Sequence, residues 1–123
     1  MPKHFEKKIV NFTAKQMYEL VADIDNYREF LPWCNDSKII EVTNINNEKK
    51  TLIADLEIGY RDLVYTYRSN VLLNNQELTI KVDFVHGPFK NLDNSWIFKK
   101  IDDQSCEIEF FIDFELNVGV LNI

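Results

Sequence analysis

Alternation of apolar and polar residues dominates the second half of the chain. In residues 51–58 every second residue is apolar, and similar alternation recurs in four later segments before residue 117. Successive side chains of a β-strand point to opposite faces, so this period predicts strands that bury one face and expose the other. The predicted buried face consists of Leu52, Ala54, Leu56, Ile58, Leu63, Tyr65, Tyr67, Val71, Leu78, Ile80, Val82, Phe84, Leu92, Trp96, Phe98, Cys106, Ile108, Phe110, Ile112, Phe114 and Leu116.

Short turn segments separate these predicted strands. Asn46-Asn47, Asn74-Asn75 and Gly87-Pro88 lie between them, and Gly59 is interpreted as a bend. Turns this short join antiparallel neighbours, because parallel strands need a longer crossover. With an edge strand predicted over residues 37–45, the pattern indicates six consecutive strands in an antiparallel meander.

The N-terminal part predicts one strand and two short helices. Residues 3–11 form the predicted strand, and Thr13 with Gln16 has the spacing of a capping box at the start of a helix. A second helix is predicted over residues 27–30, and Pro32 ends it because proline has no amide hydrogen. The apolar stripe of the first helix is predicted to be Met17, Leu20, Val21 and Ile24. The element order is therefore β-α-α-β6, which is an α+β fold.

Composition indicates one globular domain spanning residues 1–123 and disfavours several classes of protein. The chain is 46% hydrophobic and 28% charged, and its net charge of −6 disfavours a broad nucleic-acid interface. Lys3, Lys7 and Lys8 are the one local basic group near the N-terminus. No apolar run approaches the roughly 20 residues that cross a bilayer. A cytoplasmic location is predicted, with peripheral contact at the inner membrane as a second expectation.

Residues suited to catalysis or metal binding are scarce. The chain has two histidines, and Cys34 and Cys106 lie far apart with no Cys-x-x-Cys spacing. No metal site, catalytic residue or cofactor is therefore predicted. Glu107 and Glu109 fall on the polar face of the last strand and are interpreted as residues that promote solubility.

An unusually apolar segment follows the second helix. Phe30, Leu31, Pro32 and Trp33 lie where the helix must give way to a loop. The segment either plugs one end of the sheet or forms the rim of a cavity. Tryptophan suits a rim, because its apolar ring and its N–H donor can face different surroundings.

Three motifs occur in order along the chain. Residues 30–34 are Phe-Leu-Pro-Trp-Cys, residues 87–89 are Gly-Pro-Phe, and Leu92, Trp96 and Phe98 follow. Together with the order β-α-α-β6, these motifs resemble the coenzyme Q-binding proteins of the START-like superfamily. Bacterial proteins of this family are also described as polyketide cyclase/dehydrase-like or as ribosome-association toxins. The resemblance extends from about residue 3 to about residue 118.

The resemblance implies a helix-grip fold, in which a curved antiparallel sheet wraps a long C-terminal helix and leaves an apolar cavity. Residues 117–123 have no room for that helix, so the chain is expected to lack it. Losing about eight buried apolar side chains would cost on the order of 10 kcal/mol, which is comparable to the stability of a whole domain. The exposed sheet is therefore expected to be covered by self-association, by a lipid or by a helix supplied in trans.

The resemblance also implies non-enzymatic binding of ubiquinone or a similar isoprenoid lipid, in support of respiratory electron transfer. The predicted ligand-binding residues of the cavity and rim are Phe30, Leu31, Pro32, Trp33, Tyr65, Tyr67, Phe84, Phe89, Trp96, Phe98 and Phe110. Arg61, Arg68 and the hydroxyls of the two tyrosines are candidates for orienting a quinone head.

Two alternatives remain open. One is a ribosome-association factor that binds the large ribosomal subunit and blocks subunit joining. The other is a polyketide cyclase-like enzyme, which would need a positioned acid and base. Tyr65 and Tyr67 are the candidates for that role, but strand tyrosines are more often chosen for packing.

Overall fold

The computed structural model describes residues 3–30, 34–60, 63–87 and 89–116. The elements within these residues follow the predicted order β-α-α-β6, with a 3-10 turn at Ile24–Asn26 before the second helix. They are β1 (Lys3–Val10), α1 (Ala14–Ala22), α2 (Tyr27–Phe30), β2 (Cys34–Asn44), β3 (Lys49–Tyr60), β4 (Leu63–Asn74), β5 (Thr79–His86), β6 (Phe89–Lys100) and β7 (Cys106–Leu116).

All seven strands belong to one antiparallel sheet with the order β1-β7-β6-β5-β4-β3-β2. Strands β2 to β7 form the predicted meander, which is confirmed. Strand β1 pairs with β7, so that Lys3 lies opposite Asp113 and Val10 lies opposite Cys106. Register shifts interrupt the β2–β3, β4–β5 and β6–β7 ladders, and such bulges bend and twist a sheet. The predicted helix-grip architecture, a curved antiparallel sheet with helices on its inner face, is confirmed.

The predicted capping box at the start of α1 is present. The backbone N–H of Gln16 donates to Thr13 Oγ1 at 3.1 Å, and the backbone N–H of Thr13 donates to Gln16 Oε1 at 2.8 Å. These bonds satisfy two backbone donors at the exposed helix start, which fixes where the chain leaves β1 and turns over the sheet.

The apolar face of α1 differs from the predicted stripe. Ala14 and Tyr18 are the buried residues of the helix, whereas Leu20 is 46% exposed. The Tyr18 ring packs edge-on against Phe98 of β6, with ring centroids 6.2 Å apart. The prediction for Leu20 was wrong because the aromatic side chain of Tyr18, two residues earlier and on the opposite side of the helix, reaches the sheet and sets the rotation of the helix.

The core lies between α1 and the inner face of the sheet. Its buried residues are Ala14, Tyr18, Ile24, Cys34, Leu52, Ala54, Leu56, Val71, Leu73, Ile80, Phe98 and Cys106. Both cysteines are buried and neither forms a disulfide. This cluster covers the part of the inner face near α1 and leaves the part farther along β4 to β7 for the site described below.

Gly59 is not the bend that the sequence indicated, since β3 continues through it to Tyr60. A Cβ atom at this position would lie 2.9 Å from Nδ2 of Asn35. The glycine therefore makes room for a side chain of the neighbouring strand instead of breaking β3.

The interpretation of Glu109 as a solubility residue was wrong. It lies on the outer face but is only 9% exposed, and its Oε1 is 3.3 Å from Lys7 Nζ and 3.0 Å from Lys99 Nζ. These two cations on β1 and β6 lower the pKa of the Glu109 carboxyl, with the hydrogen bond from Lys99 as the largest cause. The carboxylate thus bridges three adjacent strands.

Replacing Glu109 by glutamine should destabilise the fold in a pH-dependent way. Because the folded state lowers the pKa of this carboxyl, its stabilising effect is present above the pKa of the unfolded chain, about 4.3, and is lost as the pH falls through the folded value. Urea unfolding should therefore show a deficit for E109Q at pH 7 that shrinks towards pH 3. Glu107 forms no ion pair with any described residue, so E107Q is the matched control. An equal deficit for E109Q at both pH values would contradict the interpretation.

Candidate functional site

An apolar cavity of about 470 Å³ lies over the inner face of the sheet, beside the end of α1. It is lined by side chains from the helical region and from β3 to β7. The lining residues that the structure describes are Val21, Ile24, Tyr27, Leu56, Tyr67, Ser69, Val71, Ile80, Val82, Phe89, Leu92, Asn94, Trp96, Phe110, Ile112 and Phe114. None of them carries a charge at neutral pH, because tyrosine ionises only at a much higher pH.

Strand register explains why these side chains share one surface. Val71, Val82, Asn94 and Ile112 are successive cross-strand partners on β4, β5, β6 and β7. Partners directly opposite each other lie on the same face of a sheet. This row crosses the cavity wall, and an aromatic cluster lies on each side of it.

The first cluster is centred on Phe89 at the start of β6. Tyr67 packs edge-on against its ring at 5.7 Å, Phe84 at 5.7 Å and Phe114 at 6.1 Å. Three neighbouring strands thus contribute one ring each around Phe89. Edge-to-face contacts of this kind hold aromatic rings in defined orientations.

The second cluster is centred on Trp96, also on β6. Its ring is stacked on Phe98 with an interplanar angle of 9° and meets Phe110 with centroids 4.7 Å apart. Phe98 is only 3% exposed and belongs to the core, whereas Trp96 and Phe110 line the cavity. The cavity is therefore bounded by rigid aromatic surfaces towards both ends of β6.

Asn94 lies between the two clusters and is the residue that the sequence analysis missed. Its Nδ2 donates to the backbone carbonyl of Phe111 at 2.7 Å, and its Oδ1 accepts from Trp96 Nε1 at 3.1 Å. A carbonyl only accepts and an indole N–H only donates, so these two bonds fix the orientation of the amide. The available signal was a polar residue, like Ser69 on β4, inside a run that otherwise alternates apolar residues inward.

Two tyrosines supply the remaining hydroxyl groups of the cavity together with Ser69. Burial raises the pKa of Tyr67 to about 12 and also raises the pKa of Tyr27. Tyr27 donates its O–H to the backbone carbonyl of Val21. Tyr67 makes no hydrogen bond to any described residue. Both phenols therefore stay protonated at neutral pH and act as hydrogen-bond donors, not as bases.

The predicted site residues fall into three groups. Tyr67, Phe89, Trp96 and Phe110 line the cavity together. Phe84 contacts Phe89 and Phe98 contacts Trp96, but neither lines the cavity. Tyr65 lies on the same face of β4 as Tyr67, one row away, and does not line the cavity either. Leu31, Pro32, Trp33 and the side chain of Phe30 lie outside the described residues, so the choice between plug and rim remains a prediction.

Neither arginine proposed to orient a quinone head is found in the described cavity wall. Arg68 lies on the outer face of β4 and forms a bidentate ion pair with Asp55 of β3, at 2.7 and 2.9 Å. Arg68 was a wrong candidate because it directly follows Tyr67 in β4, and successive side chains of a strand point to opposite faces. Arg61 lies outside the described residues.

The basic group near the N-terminus is divided by the alternation of β1. Lys3 and Lys7 lie on the outer face, where Lys7 pairs with Glu109, and Lys8 lies on the inner face. In the described part of the chain these lysines therefore do not form one continuous basic surface.

The described residues hold neither a metal-binding cluster nor a helix that could span a membrane. They contain no group of three or more histidine, cysteine, aspartate or glutamate side chains arranged to hold a metal ion. Their longest helix, α1, has nine residues and none is long and apolar enough to cross a bilayer.

Comparison with known protein families matches residues 10–123 to the polyketide cyclase / dehydrase and lipid transport family. The chain belongs to this family. The ribosome association toxin RatA of Escherichia coli K12 is 37% identical over 123 residues, which is all of this chain and 74% of that protein. The mitochondrial coenzyme Q-binding protein COQ10 homolog B of Xenopus laevis is 30% identical over 116 residues, which is 92% of this chain and 46% of that protein.

Solved structures agree with the fold. An 18 kDa protein from Caulobacter crescentus has a TM-score of 0.79 at 28% identity, with 99% of this chain and 81% of that chain covered. The Zhui aromatase/cyclase from a Streptomyces species also has a TM-score of 0.79, at 16% identity, with 94% of this chain and 68% of that chain covered. At that identity the second likeness concerns the fold alone.

Gly87 should be essential for the aromatic end of the cavity. Its φ is +148°, and an added Cβ would lie 2.6 Å from Cβ of Tyr67 and 3.0 Å from its Cα. Backbone strain and overlap together predict that G87A loses about 2 kcal/mol or more of unfolding free energy. Urea denaturation followed by circular dichroism measures this loss.

Gly59 provides the control for this experiment. Its φ lies outside the left-handed range, and an added Cβ would meet only the end of the Asn35 side chain, which can rotate away. G59A should therefore change stability by less than about 1 kcal/mol. Equal losses in the two variants would show that the Gly87 backbone is not the limiting feature.

Proposed function

We propose that the cavity binds an apolar small molecule, with an isoprenoid quinone such as ubiquinone as the best candidate, and that the protein acts without catalysing a reaction. The observation that carries this proposal is the uncharged lining of the described cavity wall, with two aromatic clusters and few hydrogen-bonding groups. The relative named for coenzyme Q binding supports the choice of ligand.

The size and energetics of the cavity suit such a ligand. A volume of about 470 Å³ lies within the range of roughly 300 to 1,000 Å³ that small-molecule sites occupy. Each buried methylene contributes about 0.8 kcal/mol, so two isoprene units supply on the order of 8 kcal/mol before the costs of association. A prenyl tail therefore needs no directional contact to bind.

The titratable groups of the cavity favour binding over catalysis. Among the described lining residues these groups are Tyr27 and Tyr67, and burial raises the pKa of both. A general base must be deprotonated at the working pH, which these phenols are not. The cyclase alternative would need an acid and base pair that the described lining does not supply.

Filling the cavity should weaken binding. Val82 of β5 lines the cavity, and V82F replaces its isopropyl group with a larger phenyl ring. In a Trp33→Phe background, Trp96 is the remaining tryptophan, and quinone binding should quench its fluorescence. We expect decylubiquinone to bind the parent protein and V82F to raise the Kd by about tenfold or more.

The matched control is V85F on the same strand. Val85 is 51% exposed and is not among the described lining residues, so the same substitution leaves the cavity unchanged. Its Kd should remain within about twofold of the parent value. Failure of the parent protein to bind decylubiquinone, or equal weakening in both variants, would remove the proposed function.

A second candidate function is association with the ribosome. It is favoured by the relative that is named for this property and that is matched over the whole of this chain. Binding to the large subunit with inhibition of subunit joining is the specific form of this proposal. The net charge of −6 favours a contact with a ribosomal protein over an extended contact with RNA.

Sedimentation through sucrose tests this candidate. The protein should pellet with purified ribosomes, and V82F should pellet equally if the contact does not use the cavity. A contact made mainly with protein should weaken little between 50 and 200 mM salt, since counterion release from RNA makes phosphate contacts strongly salt-dependent. Absence from the pellet at saturating protein, with subunit joining unchanged, would eliminate ribosome association.

A further inference from the structure

Asn94 has hydrogen-bonding capacity that its protein partners do not use. An amide side chain has two N–H donors and an oxygen with two lone pairs. One donor is used by the carbonyl of Phe111 and one lone pair by the N–H of Trp96. No further bond to a described residue is present, so one N–H and one lone pair remain in a cavity whose other nearby walls are apolar.

The cross-strand neighbours of Asn94 have no side-chain group that could use the remaining N–H or lone pair. Its cross-strand partners on β5 and β7 are Val82 and Ile112, and both line the cavity. Neither side chain can accept the second N–H. A polar group left without a partner in an apolar site costs free energy, and a ligand oxygen would recover it.

From this geometry we propose that Asn94 is the anchor for a neutral oxygen on the ligand, a carbonyl or a hydroxyl, and that the cavity rejects carboxylates of the same size. The inference rests on the proposed function and specifies how the ligand head is recognised. The described lining contains no cation to balance a buried carboxylate, whereas an amide can donate to a carbonyl and both donate to and accept from a hydroxyl.

Other donors in the cavity are less suited to this role. The hydroxyl of Tyr27 and the N–H of Trp96 already donate to protein acceptors. The hydroxyls of Tyr67 and Ser69 make no bond to a described residue, so no such bond fixes the direction of either O–H. The Asn94 amide is held in one orientation by two bonds, so donation from it requires no further ordering.

Displacement of the neutral dye Nile red gives one readout for several probes. The probes are decylubiquinone, decylbenzene and decanoate, which differ in the head; the first two carry a ten-carbon alkyl chain, and decanoate has ten carbons including its carboxylate. We expect decylubiquinone to bind about tenfold more tightly than decylbenzene, and decanoate to bind more weakly than either. In N94L the advantage of decylubiquinone over decylbenzene should fall to about twofold or less, while decylbenzene binds as tightly as before.

The matched control is N70L, which makes the same change on the outer face of β4 opposite Asp83. It should keep the tenfold advantage. If none of the probes binds the parent protein, the proposed function itself is overturned. If decylubiquinone keeps its full advantage over decylbenzene in N94L, only the role of Asn94 is overturned. If decanoate binds tightly, only the neutrality of the ligand is overturned.

An infrared measurement keeps the inference testable if N94L does not fold. The carbonyl stretch of decylubiquinone bound to the parent protein should lie at lower wavenumber than in hexane, because hydrogen bonding weakens the C=O bond. The shift should persist in Y67F and in S69A, each of which lacks one of the cavity hydroxyls that make no bond to a described residue. A hexane-like stretch in the parent protein would overturn the inference, and loss of the shift in Y67F would assign the anchor to Tyr67 instead.

Discussion

The apolar inner face of the seven-stranded sheet is larger than the short helices of the described chain can cover, and the other features of the structure depend on how that face is divided. Near α1, Tyr18 reaches down to Phe98 and closes a conventional core. Farther along β4 to β7 the same alternation of side chains continues without a covering helix in the described residues, and there the wall encloses the cavity. Core and candidate site are thus two adjoining parts of one surface, and Ile24, Leu56, Val71 and Ile80 belong to both.

Polar groups within this surface are few, and their placement limits the chemistry of the site. Asn94 accepts a hydrogen bond from Trp96 and donates one to the sheet backbone, which makes both residues part of the wall as well as part of the site. The ionised residues that the structure places on β3, β4 and β7 pair on the opposite face, as Arg68 does with Asp55 and Glu109 with two lysines. This separation keeps charge out of the described cavity wall, and it is the physical basis for expecting a neutral, apolar ligand.

Much of the fold was predictable, because the signals are local. The two-residue period sets which residues of β3 to β7 face inward, and the pair Thr13 and Gln16 marks the start of α1 within one residue. The predictions failed where a neighbour in space decides the outcome. Leu20 is exposed because Tyr18 sets the rotation of α1, Gly59 accommodates Asn35 of the adjacent strand, and Glu109 is held by lysines from two other strands.

The element order, the antiparallel meander and the inward set of aromatic residues follow from local sequence, since side-chain alternation and turn chemistry act over a few residues. Long-range contacts are needed to pair β1 with β7, to bring Tyr67, Phe89, Trp96 and Phe110 around one cavity while Phe98 joins the core, and to place Asn94 among them with an unused donor. Those outcomes depend on strand register and on the position of α1 over the sheet. Both arise from contacts between residues far apart in the chain, which no local pattern encodes.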